Sequence, residues 1–166
     1  FGSVATFHSD GRVSSTFGGA LQVESGATAV YAVVFNGSGG RAPVTGVSMG
    51  GRAFTNIKSA ERTQNASLDV FRLVTPPTGS QQVTITRSTT GYYPARVSVF
   101  TVLGSSTTTP NGAITEIDIT PGSATATKTV NILSSSDGLT VSAVAASTTY
   151  LNGNGVTATY GFQTTR

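Results

Sequence analysis

The chain has no cysteine, which excludes disulfides and thiolate metal sites and leaves the redox compartment open. Charge is scarce. Asp, Glu, Lys and Arg make up 10% of the residues, against about a quarter in ordinary soluble domains, so the polar surface must be built from the hydroxyls and amides of Ser, Thr, Asn and Gln. Long apolar runs are missing as well. The best candidate, Thr28–Phe35 (TAVYAVVF), has the length of a buried strand and falls well short of the roughly 20 residues of a membrane-spanning helix; no membrane insertion is expected. Helical periodicity is absent, because Gly or Pro interrupts nearly every window long enough for three turns. The ten bases stand singly between Arg12 and Arg166 with no basic run among them. A nucleic-acid binder clusters Lys and Arg and interleaves aromatics with them, so no nucleic-acid partner is expected. No signal peptide is visible and the first residue is Phe1, which reads as a processed chain or a fragment of a longer one.

What is present is a grammar of short alternating runs and tight turns. Ser67–Thr86 (SLDVFRLVTPPTGSQQVTIT) is its clearest instance. Leu68, Val70 and Val74 read as one face against Asp69 and Arg72, and Val83 and Ile85 oppose Gln82, Thr84 and Thr86, the pattern of half-buried antiparallel strands. Between them Pro76 and Pro77 cannot donate to a ladder, and Gly79 permits a positive φ. Further strands are expected at Ser3–Phe7, Ala20–Val23, Thr28–Phe35, Val44–Met49, Ala53–Ser59, Ala95–Leu103, Ile114–Ile119, Thr125–Ile132, Leu139–Ala146 and Val156–Phe162. Asn-Gly, Asp-Gly and Gly-Gly turns separate many of them. The fold class that follows is all-β, a two-sheet antiparallel β-sandwich of jelly-roll type, formed as a single domain over residues 1–166. Its expected core includes Val33, Phe35, Val70, Val83, Ile85, Val97, Val99, Val141 and Ala143.

The order of these pieces resembles a jelly-roll, lectin-like β-sandwich module found in phage structural proteins and in secreted multidomain bacterial proteins. The segments that carry the resemblance are Thr28–Phe35, Val44–Ile57 (VTGVSMGGRAFTNI), the LVTPPTG turn at Leu73–Gly79, Val97–Pro110 (VSVFTVLGSSTTTP) and Asp137–Ala146 (DGLTVSAVAA). An aromatic residue often precedes the Leu of that turn in the family, whereas Arg72 stands there in this chain, with Phe71 before it. The resemblance implies a structural or binding module and transfers no catalytic residue.

The residues themselves offer little chemistry. His8 is the single histidine and stands beside Ser9 and Asp10, but a serine nucleophile needs an activated turn and an oriented base; His8 reads as a surface-loop residue. Glu116 and Asp118 share one face of an alternating run, yet calcium takes six to eight oxygens and the chain has seven acids in all. They read as a solvated strand face, so no metal site, no cofactor and no enzymatic activity are expected. Asn36 and Asn65 begin Asn-x-Ser triplets, a common pattern expected to go unmodified. The strongest contact candidates are Tyr92 and Tyr93, before Pro94, together with Arg96, since Tyr and Arg are enriched at the energetic centres of interfaces. Eight of the ten bases are Arg, the residue better suited to partly dehydrated contacts. The expected function is that of a non-catalytic structural or interaction protein at a virion or cell surface, most specifically a phage capsid-decoration or fibre/tail protein. Its partners would be further copies of itself or a shell or fibre protein, and its location the virion surface or the extracellular space. The alternative is a carbohydrate-binding or adhesive module of a secreted bacterial protein, with glycans as partners.

Overall fold

The computed structural model describes residues 2–9, 15–36, 44–62, 66–88 and 95–108. Among them nine strands and no helix occur: β1 Val4–Ser9, β2 Thr16–Val23, β3 Ala27–Asn36, β4 Val44–Met49, β5 Arg52–Ala53, β6 Thr55–Arg62, β7 Ala66–Val74, β8 Gly79–Arg87 and β9 Ala95–Leu103. They form a five-stranded sheet in the order β1-β9-β3-β7-β6 and a four-stranded sheet in the order β2-β8-β4-β5. All pairings are antiparallel, and they are nested: β1 with β9, β2 with β8, β3 with β7 and β4 with β5. One long hairpin rolled across two sheets gives this nesting, which is the jelly-roll arrangement. β6 is an addition at the edge of the larger sheet, paired with β7.

The two sheets enclose one core. Leu21, Val23, Val47, Met49, Val83 and Ile85 of the smaller sheet meet Val30, Ala32, Val34, Phe71, Leu73, Val97 and Val99 of the larger one. Val83, Ile85, Val97 and Val99 are fully buried, as their alternation indicates. Val33, Phe35 and Val70 are not core residues: they are half-buried on the opposite face of the sheet. In β3 every residue from Ala29 to Phe35 is apolar, so period two alone leaves either parity open, and the paired strands decide it. Val34 lies opposite Val97 and Ala32 opposite both Val99 and Phe71. In β7 strict alternation puts Arg72 on the same face as Leu68, Val70 and Val74. That face turns outward and Phe71 and Leu73 turn in, since burying them keeps the guanidinium out of the core. Val141 and Ala143, with the four strands expected from Ile114 onward, lie outside the described residues.

Two boundaries differ instructively. The run expected at Ala53–Ser59 is broken at Phe54, whose amide bonds Val47 O at 2.8 Å; there the chain leaves the smaller sheet as β5 and enters the larger as β6. β2 begins at Thr16, four residues before the expected strand, and runs through Gly18 and Gly19. These glycines mark close approaches and no turn. A Cβ on Gly18 (φ +148°) would lie 2.0 Å from the Val83 carbonyl oxygen, and one on Gly19 would lie 2.7 Å from the Phe7 ring.

The Pro-Pro turn between β7 and β8 is also tightly held. Thr75 has φ 47° and Gly79 φ 85°, the former an unfavourable conformation for a β-branched residue. Its amide bonds Thr28 O at 2.9 Å, and Arg52 donates to the carbonyls of both Val74 and Thr75.

Candidate interaction surface

Of the three contact residues expected from sequence, Arg96 is placed and exposed. It stands early in β9, opposite His8 of β1 on one side and Phe35 of β3 on the other. Tyr92 and Tyr93 lie outside the described residues, as do Glu116 and Asp118. Arg87 ends β8 and Ala95 begins β9 at the end of the sandwich where β3 finishes at Asn36 and β4 starts at Val44. His8 belongs to β1 and not to a loop, because the pairing with β9 continues to Ser9 opposite Ala95; its side chain is exposed. Among the described residues no three His, Cys, Asp or Glu side chains gather as a metal site would require.

The same end holds a small polar group. The Asn36 amide donates to Ser67 Oγ at 2.8 Å and to Asp69 Oδ2 at 3.3 Å, and Ser67 Oγ bonds Asp69 Oδ2 at 3.1 Å. Asp69 is buried on the core face of β7, so this network satisfies a carboxylate that the sequence pattern had assigned to solvent. It also engages the nitrogen to which a glycan on Asn36 would be attached. Across the sandwich Arg87 is buried, its guanidinium 5.0 Å from the centre of the Phe17 ring. Burial lowers its pKa from the usual arginine value, and the ring face offsets part of the dehydration.

At the opposite end the Glu24 carboxylate ties three segments together. It accepts from the Ser3 amide at 2.5 Å, from the Ser3 hydroxyl and from Thr101 Oγ1 at 2.7 Å. These donors, the Ser3 and Thr101 hydroxyls foremost, hold its pKa down at about 2, because each bond favours the charged form. A Cβ on Gly2 would collide with both Thr101 Oγ1 and Glu24 Oε2. The carboxylate thus anchors the start of β1 to β9 and to the turn between β2 and β3.

The sandwich has two flanks, and they differ. On one, β6 is an edge interrupted by a register shift between Asn56 and Lys58 and carries Lys58, Glu61 and Arg62 in its sequence, while β5 is two residues long. Charges, irregular pairing and shortness all discourage strand addition. On the other flank β1 lies over β2, with the Phe7 ring against Gly19. Among the described residues β2 is an edge, eight residues long, TFGGALQV, with neither a charge nor a proline. Its outward groups follow from one bond, Arg87 N to Ser15 O at 2.8 Å. This makes Ser15 and Arg87 a hydrogen-bonded pair, so in the antiparallel ladder Phe17, Gly19, Leu21 and Val23 spend their backbone groups on β8. Gly18, Ala20 and Gln22 then point theirs away from the sheet, and all three residues are exposed. Val4 of β1, on the same flank, is 57% exposed. Sequence reading missed this surface by starting the strand at Ala20; eight residues without charge or Pro were the available signal. No family model matches the chain, and neither the curated proteins nor the solved structures contain a match to it.

Proposed function

We propose that the chain is a non-catalytic structural and interaction protein that works at a virion surface or outside the cell, assembling through protein–protein contacts with copies of itself or with a shell or fibre protein. A phage capsid-decoration or fibre/tail role is its most specific form. The observation that supports the reading is the flank of β1 and β2, where among the described residues no strand pairs with the outer edge of β2. It presents a long strand edge without a charge or a proline, where natural sandwiches that stay apart carry charges, Pro or bulges. The charge-poor composition fits such contact, because few ions need be dehydrated when surfaces meet.

The test is molar mass by light scattering over a wide concentration range, alone and with an oligosaccharide panel. Mass that rises with concentration and ignores the sugars is the expected result. A constant monomer mass together with saturable sugar binding would replace this reading by the carbohydrate-binding one. Replacing Tyr92 and Tyr93 together with Ser should weaken association while leaving monomer melting nearly unchanged.

A further inference from the structure

We infer that the β2 edge is a self-pairing strand: two copies of the chain join β2 to β2 antiparallel about a two-fold axis near Ala20, fusing their four-stranded sheets into one continuous sheet. The inference deepens the assembly reading and rests on it.

Geometry makes the strand complementary to itself. The residues whose backbone groups face outward are Gly18, Ala20 and Gln22, spaced by two. An antiparallel partner centred on Ala20 sets Ala20 against Ala20 and Gly18 against Gln22 of the second copy, in both directions. Each such pair exchanges two bonds, so about six backbone hydrogen bonds close the seam. A two-fold interface requires this self-matching, in which i meets j and j meets i. The side chains fit as well: Gln22, the largest of the three, meets a glycine. A two-fold axis also brings every charge near it against its own copy, and β2 has none to repel. On the other flank the charges and the bulge of β6 forbid the equivalent union. Gly18 adds an independent point. A side chain there would meet the Val83 carbonyl, so the residue that faces Gln22 of the second copy has to stay a glycine.

The experiment is amide hydrogen exchange on the full chain at low and high concentration, paired with sedimentation equilibrium. At low concentration the amides of Gly18, Ala20 and Gln22 should exchange fast while those of Gly19, Leu21 and Val23 are protected. At high concentration a dimer should form and the first three should gain protection of about tenfold or more. Ala20→Lys, which puts two ammonium groups at the axis, should raise the dimer dissociation constant by about tenfold or more. Thr55→Lys, exposed on β6 at the opposite flank, should change it by less than about twofold and keeps the test meaningful if added charge acts nonspecifically. Association without protection at Gly18, Ala20 and Gln22, or association indifferent to Ala20→Lys, overturns the β2 pairing while the assembly reading stands. A mass that stays monomeric at every concentration also overturns it, and the assembly reading then depends on the foreign shell or fibre partner alone.

Discussion

The flank built from β1 and β2 and the flank built from β6 and β5 close the same core but treat their edges in opposite ways. On the β6 side the edge is defended locally, by Lys58, by a shifted register and by a strand only two residues long in the smaller sheet. On the β2 side nothing in the strand itself defends it. Its regularity there depends on long-range contacts: Phe7 over Gly19, Val83 beneath Gly18, and the Glu24 carboxylate holding the start of β1. An edge shaped for pairing must be held straight by the rest of the fold, whereas an edge meant to stay alone can be irregular.

The largest expected effect breaks the open flank from within. Gly18→Ala would press a methyl group into the Val83 carbonyl at a backbone angle that side chains rarely adopt, and should lower the unfolding free energy by about 3 kcal/mol. Denaturant titration reads this directly; a loss within about 0.5 kcal/mol would mean that β2 and β8 do not approach so closely.

Next comes the side of the larger sheet on which β1 and β9 lean. Val99 is fully buried, while Val33 on the adjacent strand faces outward and is half-buried. Val99→Ala should cost about 2 kcal/mol and Val33→Ala about 1 kcal/mol or less. Equal losses in chemical denaturation would reverse the facing of β3.

The smallest effect sharpens the contrast through the anchor of β1. Glu24 has a pKa of about 2 in the folded chain against an ordinary 4.5, so folding favours its charged form. The stability it contributes is complete above pH 4.5 and is lost as the pH falls toward 2. Glu24→Gln should therefore melt below the wild type at neutral pH, and the gap between their melting temperatures should close across that acid window. A gap that is unchanged by pH would show that the hydroxyl donors do not depend on the carboxylate's charge.

Much of the architecture was legible in the chain. Alternation marked Val83, Ile85, Val97 and Val99 as core, and the Pro-Pro-x-Gly turn marked the β7–β8 hairpin, because period two and turn chemistry are local properties. Arg96 was legible as an exposed strand residue, but that it stands opposite His8 was not, since pairing joins residues 88 positions apart.

By itself the sequence determined an all-β chain with a charge-poor surface, and it located most of the described strands to within about two residues at each end. Only the tertiary structure decided which face of β3 and β7 turns inward, since an all-apolar strand has no preferred side until its neighbours take theirs. It likewise decided that Gly18-Gly19 continues a strand. A glycine pair breaks a strand or extends it according to what presses against it, and here the pressing groups, the Phe7 ring and the Val83 carbonyl, come from strands far along the chain.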